Sequence, residues 1–295
     1  MKYYPIIIFC FNRPEHLKKL LESIYQNKDY NKHQYFFFCD LYKDKKDKQN
    51  NNKVRNIIIN SNKIKKKKII LRKKNFGLSE NIINGINYVF KKFNAAIIIE
   101  DDLLLNKYVL KFLNLNLKKY LHNKKIFSIS AYSYLNNLDL KNKNQLYKIR
   151  RHSSWGWATW KNKWDRVDFY DLNFFKKKNK NFSKLGNDMN LMMWAQNNNF
   201  INSWAVRFNF YCSFFNLFSV QPKKNMIKNI GNDLSGYHKS FRFNINDKFD
   251  TNYDPFKKNL ISSRIINSKV VDKHIKNSHR PSIKLFIKYL IKKIL

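Results

Sequence analysis

The sequence predicts an α/β fold with a doubly wound, mostly parallel sheet and helices on both faces. Short apolar runs rich in Ile and Phe begin near residues 5, 35, 68, 95 and 126. This spacing of about thirty residues is typical of βαβ units. Amphipathic helical patterns fill the intervals, and a polar residue follows each run, where open α/β sheets bind their ligands.

The first unit comprises a strand over 5–11 and a helix that begins at Asn12-Arg13-Pro14-Glu15. Proline is favoured at the first helical position, and an acid there complements the helix dipole. The helix then presents one apolar face, formed by Leu17, Leu20, Leu21 and Ile24.

The next units repeat the pattern. A second strand over 35–39 ends at Asp40, and an amphipathic helix is expected within 43–64. A third strand over 69–71 ends at Arg72, and Ser79 is expected to cap the next helix. A helix from Val109 to Leu117 and a fifth strand over 126–130 complete the pattern.

The fourth strand, over 95–99, runs directly into Glu100, Asp101 and Asp102. The chain has only 20 Asp and Glu against 59 Lys and Arg, so adjacent acids are unusual in this composition. Carboxylates gathered at the end of a buried strand are typical ligands of Mg²⁺ or Mn²⁺. The alternative is a strand followed by an acidic loop with a helix-capping Asp.

The first glycine is Gly77, so no glycine-rich loop follows the first strand. This excludes a dinucleotide-binding fingerprint and a P-loop. A bound diphosphate would therefore need another source of positive charge, which a divalent ion on Asp102 would supply.

The formal charge of +39 fits a polyanionic partner, but the excess is mostly Lys, which compositional drift also produces. Specific base readout favours Arg, so no specific nucleic acid is expected. Cys10, Cys39 and Cys212 lie in separate apolar runs and are interpreted as buried thiols. With no run long enough for a membrane span, we expect a cytoplasmic protein.

The second half is rich in tryptophan, with three Trp residues between 155 and 160 around Gly156. Such a cluster suits a platform for a sugar ring, and the alternative is a tryptophan-rich core patch against the sheet edge. A later loop, over 229–238, contains two glycines around an Asp and ends at His238. His238 is a candidate metal ligand or phosphate contact, or else a surface residue.

The domain organisation predicted is 1–240 for the main domain and 241–295 for a C-terminal extension. Residues 283–295 interleave Lys with apolar residues at helical spacing. They are expected to form a basic amphipathic helix that contacts an anionic membrane, docks on the domain or is loosely ordered.

Taken together, several motifs resemble the inverting nucleotide-sugar glycosyltransferases of the GT-A fold. The resemblance is greatest to bacterial family-2-like enzymes related to the N-acetylglucosaminyltransferases that start glycan branching. The motifs are IFCFNRPEHL at 8–17, NFGL at 75–78, EDD at 100–102, SSWGWATW at 153–160, SWAVR at 203–207 and NIG at 229–231 with Asp233, Ser235, Gly236 and His238.

The resemblance implies transfer of a sugar from a nucleotide-diphosphate sugar, with a UDP-sugar favoured, to a glycan or lipid-linked acceptor in surface polysaccharide or lipopolysaccharide synthesis. It implies Mn²⁺ or Mg²⁺ as cofactor, held by Asp102 with His238. The donor-binding residues implied are Asn12, Arg13, Asp40, Arg72, Asn75, Glu100 and Asp101. The acceptor residues implied are Trp155, Gly156, Trp157, Trp204 and Arg207.

Two positions depart from such enzymes: Leu41 stands where glycine is frequent, and Ala205 stands where related enzymes carry a catalytic Asp. Inverting transfer needs a carboxylate to deprotonate the acceptor. Asp188 is the leading candidate, ahead of Asp165 and Asp233, and its alternative role is a helix N-cap. A GT-A-like protein without activity and a basic nucleic-acid-binding protein remain the competing hypotheses.

Overall fold

The computed structural model describes residues 2–135, 138, 146–231, 249, 251, 253–256 and 269–279. Within them the strands are β1 (Ile6–Cys10), β2 (Tyr35–Cys39), β3 (Lys67–Leu71), β4 (Ala95–Glu100), β5 (Leu103–Leu105), β6 (Ile126–Ser130), β7 (Leu146–Ile149), β8 (Trp157–Trp160), β9 (Phe218–Pro222) and β10 (Ile227–Asn229). The helices are α1 (Pro14–Tyr25), α2 (Lys45–Ile59), α3 (Gly77–Phe90), α4 (Val109–Lys119), α5 (Lys161–Trp164), α6 (Leu172–Phe175), α7 (Met189–Asn197), α8 (Trp204–Phe214) and α9 (Lys269–Ser278).

The predicted α/β class is confirmed. Eight strands form one sheet in the order β3-β2-β1-β4-β8-β6-β9-β7. β8 runs antiparallel between β4 and β6, and β7 runs antiparallel at the edge beside β9. The other six strands share one direction, so the sheet is mixed but mostly parallel.

Both faces of the sheet are covered, which explains why its strands are continuous apolar runs. Ile6 and Ile8 of β1 point to one core together with α1 and α4. Ile7 and Phe9 point to the other core, with α3 and α8. The three cysteines are buried free thiols, as predicted.

The helix starts follow local chemistry. Pro14 opens α1, and the carboxylate of Asp44 caps α2 by accepting from the backbone N–H groups of Lys46 and Asp47. The prediction that Ser79 caps a helix is wrong, because α3 already begins at Gly77. The hydroxyl of Ser79 accepts instead from Arg207 Nη2, at 2.8 Å.

A small second sheet, which the sequence analysis missed, pairs β5 with β10 in antiparallel register, with Leu103 opposite Asn229. β5 begins directly after the acidic residues 100–102. This pairing therefore carries the chain segment 229–231 to the end of β4.

Parts of the predicted C-terminal extension pack on the main body. Val271 and Ile275 of α9 are buried with Tyr147 and Ile149 of β7. The backbone carbonyl of Tyr253 accepts from Asn106 Nδ2, at 3.1 Å. The predicted boundary at 240 and the predicted helix over 283–295 lie outside the described residues. In the part that is described, every helix is too short or too polar to cross a bilayer.

Candidate functional site

The strand order reverses between β1 and β4. The chain passes from β1 to β2 and β3 on one side and then places β4 on the other side of β1. In open α/β sheets a crevice forms at such a switch point, outside the carboxyl ends of the strands. Here the segments that leave β1 and β4 there are 11–13 and 100–102.

Two contacts join these segments across the crevice. Arg13 Nη1 donates to Asp102 Oδ2 at 2.5 Å, and each of the two side chains is 15% exposed. The backbone N–H of Phe11 donates to Asp101 Oδ2 at 3.0 Å. The structure thus brings together the predicted donor-binding residue Arg13 and the predicted metal ligand Asp102.

Ionisation of all the acids in the cluster 100–102 is unfavourable in this structure. Burial, and then the charges of Asp102 and Asp101, raise the pKa of Glu100. Burial and the charge of Asp102 likewise raise the pKa of Asp101. Burial alone would lower the pKa of Arg13, but the charges of Asp102 and Asp101 outweigh it and raise that pKa. One guanidinium therefore faces three carboxylates, and the cluster favours additional positive charge.

The donor set fits a divalent ion only in part. Across the described residues, His, Cys, Asp and Glu side chains nowhere gather in the groups of three that would hold a metal by themselves. Mg²⁺ is commonly held by one or two carboxylates together with substrate phosphates and water. The uncompensated charge around Asp102 fits that kind of site. His238 lies outside the described residues.

The segment after β10 covers the ion pair. The N–H of Ile230 donates to the carbonyl of Asp102 at 2.8 Å, and the carbonyl of Ile230 contacts His16 Nε2 at 3.1 Å. A Cβ on Gly231 would overlap Asp102 Oδ2 and lie 2.6 Å from Arg13 Nη1. A side chain here would force Asp102 or Arg13 to move, so the glycine lets this backbone lie against the ion pair.

Asp40, predicted to contact the nucleoside, organises its own loops. Its carboxylate accepts from the backbone N–H groups of Leu41, Phe76 and Gly77, at 2.9 to 3.1 Å. Burial raises the pKa of Asp40 although these hydrogen bonds oppose the shift. Both oxygens are engaged, so the side chain joins the end of β2 to the start of α3 rather than facing a ligand freely.

Asn51, which the sequence analysis missed, joins the ends of β1 and β2. Its Nδ2 donates to the carbonyls of Phe11 and Asp40, at 2.7 and 2.8 Å. The available signal was helical spacing, because Asn51 lies on the same face of α2 as Val54 and Ile58. A polar residue on a buried face needs partners.

Two predicted donor residues support the same loops. Asn12 Nδ2 donates to Asp47 Oδ1 at 2.6 Å, and Asn75 Nδ2 donates to the carbonyl of Leu41 at 2.5 Å. Each of these bonds ties one strand-end loop to a neighbouring element.

Arg72 packs between Phe38 and Phe76, and its Nε donates to Asn81 Oδ1 at 3.0 Å. Burial lowers the pKa of Arg72. Within the described part of the chain, its buried Nη2 has no hydrogen-bond partner. Arg72 directly follows β3, at the same edge of the sheet as the ends of β1, β2 and β4.

The tryptophan cluster divides between core and edge. Trp157 is fully buried and stacks on Trp204, with ring centroids 5.1 Å apart. The burial of Trp157 and Trp204 agrees with the core-patch interpretation, and an acceptor contact by either residue stays a prediction. Trp155 is only half-buried and contacts Tyr132 edge to face, at 4.7 Å.

Gly156 holds Trp155 at the crevice edge of the sheet. Its φ of +60° lies in the left-handed region, and a Cβ would lie 2.5 Å from Ile227 Cδ1. The N–H of Ala131, just after β6, donates to the Gly156 carbonyl at 2.8 Å. Gly156 is thus required by the backbone, which is a different role from contact with an acceptor.

Arg207 is a buried structural residue. Its guanidinium donates to the carbonyl of Phe169, to Ser79 Oγ and to Asn202 Oδ1, at 2.7 to 2.9 Å. These donors join α8 to α3, and an acceptor contact by Arg207 stays a prediction.

The predicted base Asp188 is engaged in an ion pair. Its Oδ1 and Oδ2 accept from Arg151 Nη1 and Nη2, at 2.7 and 2.9 Å. Asp188 precedes α7 as predicted, but its side chain makes no capping hydrogen bond. Asp165 pairs with Lys161, and Asp233 lies outside the described residues. The role of base for Asp188 stays a prediction, and the geometry favours a structural role.

No family model matches the chain, and no curated protein matches it. Among solved structures, TarS 1–349 of S. aureus is similar with a TM-score of 0.46 and 10% identity, over 78% of this chain and 61% of that chain. PcManGT from Pyrobaculum calidifontis, a mannosyltransferase solved with GDP-Man and Mn²⁺, has a TM-score of 0.40 and 14% identity, over 57% and 48%.

An active-site mutant of LgtC has a TM-score of 0.41 and 8% identity, over 72% of both chains. This chain spans less than two thirds of the matched TarS and PcManGT chains. At these sequence identities and TM-scores, the structural similarity gives no information on the chemistry of this chain.

Proposed function

We propose that the chain is a glycosyltransferase that takes its sugar from a nucleotide-diphosphate sugar, bound at the switch point between β1 and β4. The donor's diphosphate would lie beside Arg13 and Asp102, and the acceptor beside Trp155. This proposal includes the sequence resemblance, the Mn²⁺ or Mg²⁺ cofactor and the inverting stereochemistry as hypotheses to be tested.

The Arg13–Asp102 contact across the switch point is the observation that carries the proposal. It combines a fixed cation and a carboxylate at the crevice where this class of sheet binds ligands. The α1 helix that follows Arg13 has its amino terminus there, which also favours an anion. The negative charge of a diphosphate would balance the positive charges of the Arg13 guanidinium and of a divalent ion.

The residues then take separate roles. Asp102 would hold the divalent ion, which when bound supplies positive charge to the leaving diphosphate. Arg13 would contact the phosphates directly, since a guanidinium forms paired hydrogen bonds with phosphate oxygens. The segment 229–231, which already packs on Asp102, would limit water at the reacting centre.

Of the three tryptophans predicted to contact the acceptor, Trp155 is the one that is not buried, and we place the acceptor beside it. Its half-buried ring borders the sheet edge, and Gly156 beside it packs on Ile227, two residues before Asn229. A partly exposed indole suits the apolar face of a sugar ring.

The experiment is a turnover assay of the full chain with UDP-, GDP-, CMP- and TDP-sugars in Mn²⁺, measuring nucleotide released in the presence and absence of candidate glycan acceptors. Asp102→Asn is compared with Asp29→Asn, which removes the same charge from a surface pair with Lys32. We expect turnover of one donor class, its loss in Asp102→Asn, and wild-type rates in Asp29→Asn.

Two results would contradict the proposal. Donor binding without turnover for any acceptor favours an inactive GT-A-like protein. No donor binding, with salt-dependent oligonucleotide binding instead, favours the nucleic-acid hypothesis. The anomeric configuration of a product, read by NMR, decides between inversion and retention.

A further inference from the structure

A second surface combines exposed apolar side chains with a run of lysines. Three of the seven large hydrophobic side chains exposed in the described residues occur here: Tyr170, Leu172 and Phe215, at 58, 54 and 41% exposure. The lysines beside them are Lys176, Lys177, Lys178, Lys180 and Lys184, all exposed. We call these eight residues, with Phe174, the basic apolar surface.

Local packing holds the apolar part in place. Asp171 caps α6 by accepting from the N–H of Phe174, at 2.9 Å. The ring of Phe174 then stacks on Phe215 with 8° between the planes, at the end of α8. Leu172, on the same helical turn, is left in solvent.

The lysine run is held against α8. Asn179 Nδ2 donates to Ser213 Oγ at 2.8 Å and to the carbonyl of Phe210 at 3.3 Å. Lys177 Nζ lies 5.5 Å from the centre of the Phe174 ring. The charged and apolar parts are therefore one surface, because two independent contacts join them.

Positive charge predominates along this surface. Between residues 170 and 184 there are five lysines, no arginine, and Asp171 as the one acid. Two further acids contact Tyr170: Glu80 Oε2 accepts from its hydroxyl at 2.7 Å, and Asp168 Oδ1 accepts from its backbone N–H at 2.9 Å. A hollow of about 490 Å³ opens beside the run, and its wall mixes apolar residues such as Phe175, Phe182 and Met193 with four asparagines and with Lys176 and Lys177.

We propose that the basic apolar surface docks the protein on an anionic lipid bilayer. Leucine and aromatic side chains enter the headgroup boundary while lysines, whose stems follow apolar surface, keep their ammonium groups at the anionic headgroups. An exposed leucine gains nothing from base stacking, which favours a bilayer over a nucleic acid. The proposal does not depend on the proposed enzymatic function, and it uses residues other than 283–295.

The experiment is co-sedimentation of the full chain with vesicles of phosphatidylcholine alone or with an equal part of phosphatidylglycerol. The test variant replaces Lys176, Lys177, Lys178 and Lys180 with Gln. The matched control replaces Lys45, Lys46, Lys48 and Lys53 of α2 with Gln, which are exposed and lose the same charge. We expect the test variant to lose more than about a hundredfold in partitioning, at about fivefold per lysine, and the control much less.

Insertion of this surface into the bilayer is measured separately, with an environment-sensitive fluorescent dye attached to an engineered cysteine. All three native cysteines are buried, so Leu172→Cys and Ile59→Cys each offer one exposed thiol among the described residues. We expect a blue shift on anionic vesicles at 172 and none at 59. Equal vesicle binding by the two lysine variants would overturn the proposal. So would identical spectra at 172 and 59, or loss of oligonucleotide binding alone in the test variant.

Discussion

Arg13 and Asp102 form an ion pair that joins the loop after the first strand to the loop after the fourth. The 2.5 Å contact crosses the point where the strand order reverses, and the backbone of Gly231 lies against both side chains. The ion pair, together with the glycine backbone packed on it, thus links the three chain segments that surround the candidate site.

Removal of Arg13 leaves Asp102 in a crowded acidic cluster. We expect Arg13→Ala to lower the free energy of unfolding by about 1–3 kcal/mol, because a carboxylate that is only 15% exposed loses its partner. Mn²⁺ should restore more stability to this variant than to the wild type. Urea denaturation with and without Mn²⁺ measures both effects.

The control for Arg13 is Lys18→Ala, which breaks an exposed pair with Glu15. It should cost clearly less than Arg13→Ala, because water and salt screen an exposed pair. Equal costs for the two variants would show that the Arg13–Asp102 pair has no special part in the fold.

Gly231 permits close approach to the pair. A methyl group in Gly231→Ala would displace Asp102 or Arg13, and we expect a loss of about 1–3 kcal/mol in unfolding free energy. A double-mutant cycle with Arg13→Ala is the measurement. Since the two residues are in contact, the combined loss should be smaller than the sum. Strict additivity would mean that Gly231 does not touch the ion pair in solution.

Glu100 should make stability fall as the pH rises. Its pKa is raised in the fold, so the folded state binds more protons than the unfolded state above the ordinary value of 4.5. Glu100→Gln removes this cost, and we expect it to stabilise the protein more at mildly alkaline pH than at pH 4.5. Denaturation midpoints across the pH range test this.

Glu15→Gln serves as the opposite case, because the hydrogen bond and charge of Lys18 lower the pKa of Glu15. That variant should be slightly less stable than the wild type at the higher pH. The same pH trend in both variants would contradict the argument.

Substitution of Asp188 distinguishes a structural role of this residue from a catalytic one. We expect Asp188→Asn to lower unfolding free energy by about 1–3 kcal/mol, through the loss of the Arg151 pair, and to change kcat by less than about tenfold. A general base would instead contribute about 10² to 10⁴ in rate. A fall of that size with unchanged stability would restore Asp188 as the base.

The sequence predicted the local features of the site well. β1 and β4 each have an apolar run with a distinct polar end, so both strands and the acids at 100–102 could be placed without the fold. The start of the helix that follows β1 could also be predicted from the local sequence, since Pro14 occupies its first position.

What the sequence could not predict depends on distant partners. The carboxylate of Asp40 accepts hydrogen bonds from the backbone N–H groups of Phe76 and Gly77, more than thirty residues away. Trp157 is buried because β8 inserts antiparallel between β4 and β6, and no local pattern encodes that insertion. The pairing of β10 with β5, which brings Gly231 to Asp102, is likewise non-local.

The most direct test is calorimetric titration of nucleoside diphosphates into the full chain, with and without Mn²⁺. We expect Mn²⁺-dependent binding of at least one nucleoside diphosphate to the wild type and to Asp29→Asn, and at least about tenfold weaker binding to Asp102→Asn. Binding that is equal in all three proteins, or indifferent to Mn²⁺, would contradict the proposed role of Asp102.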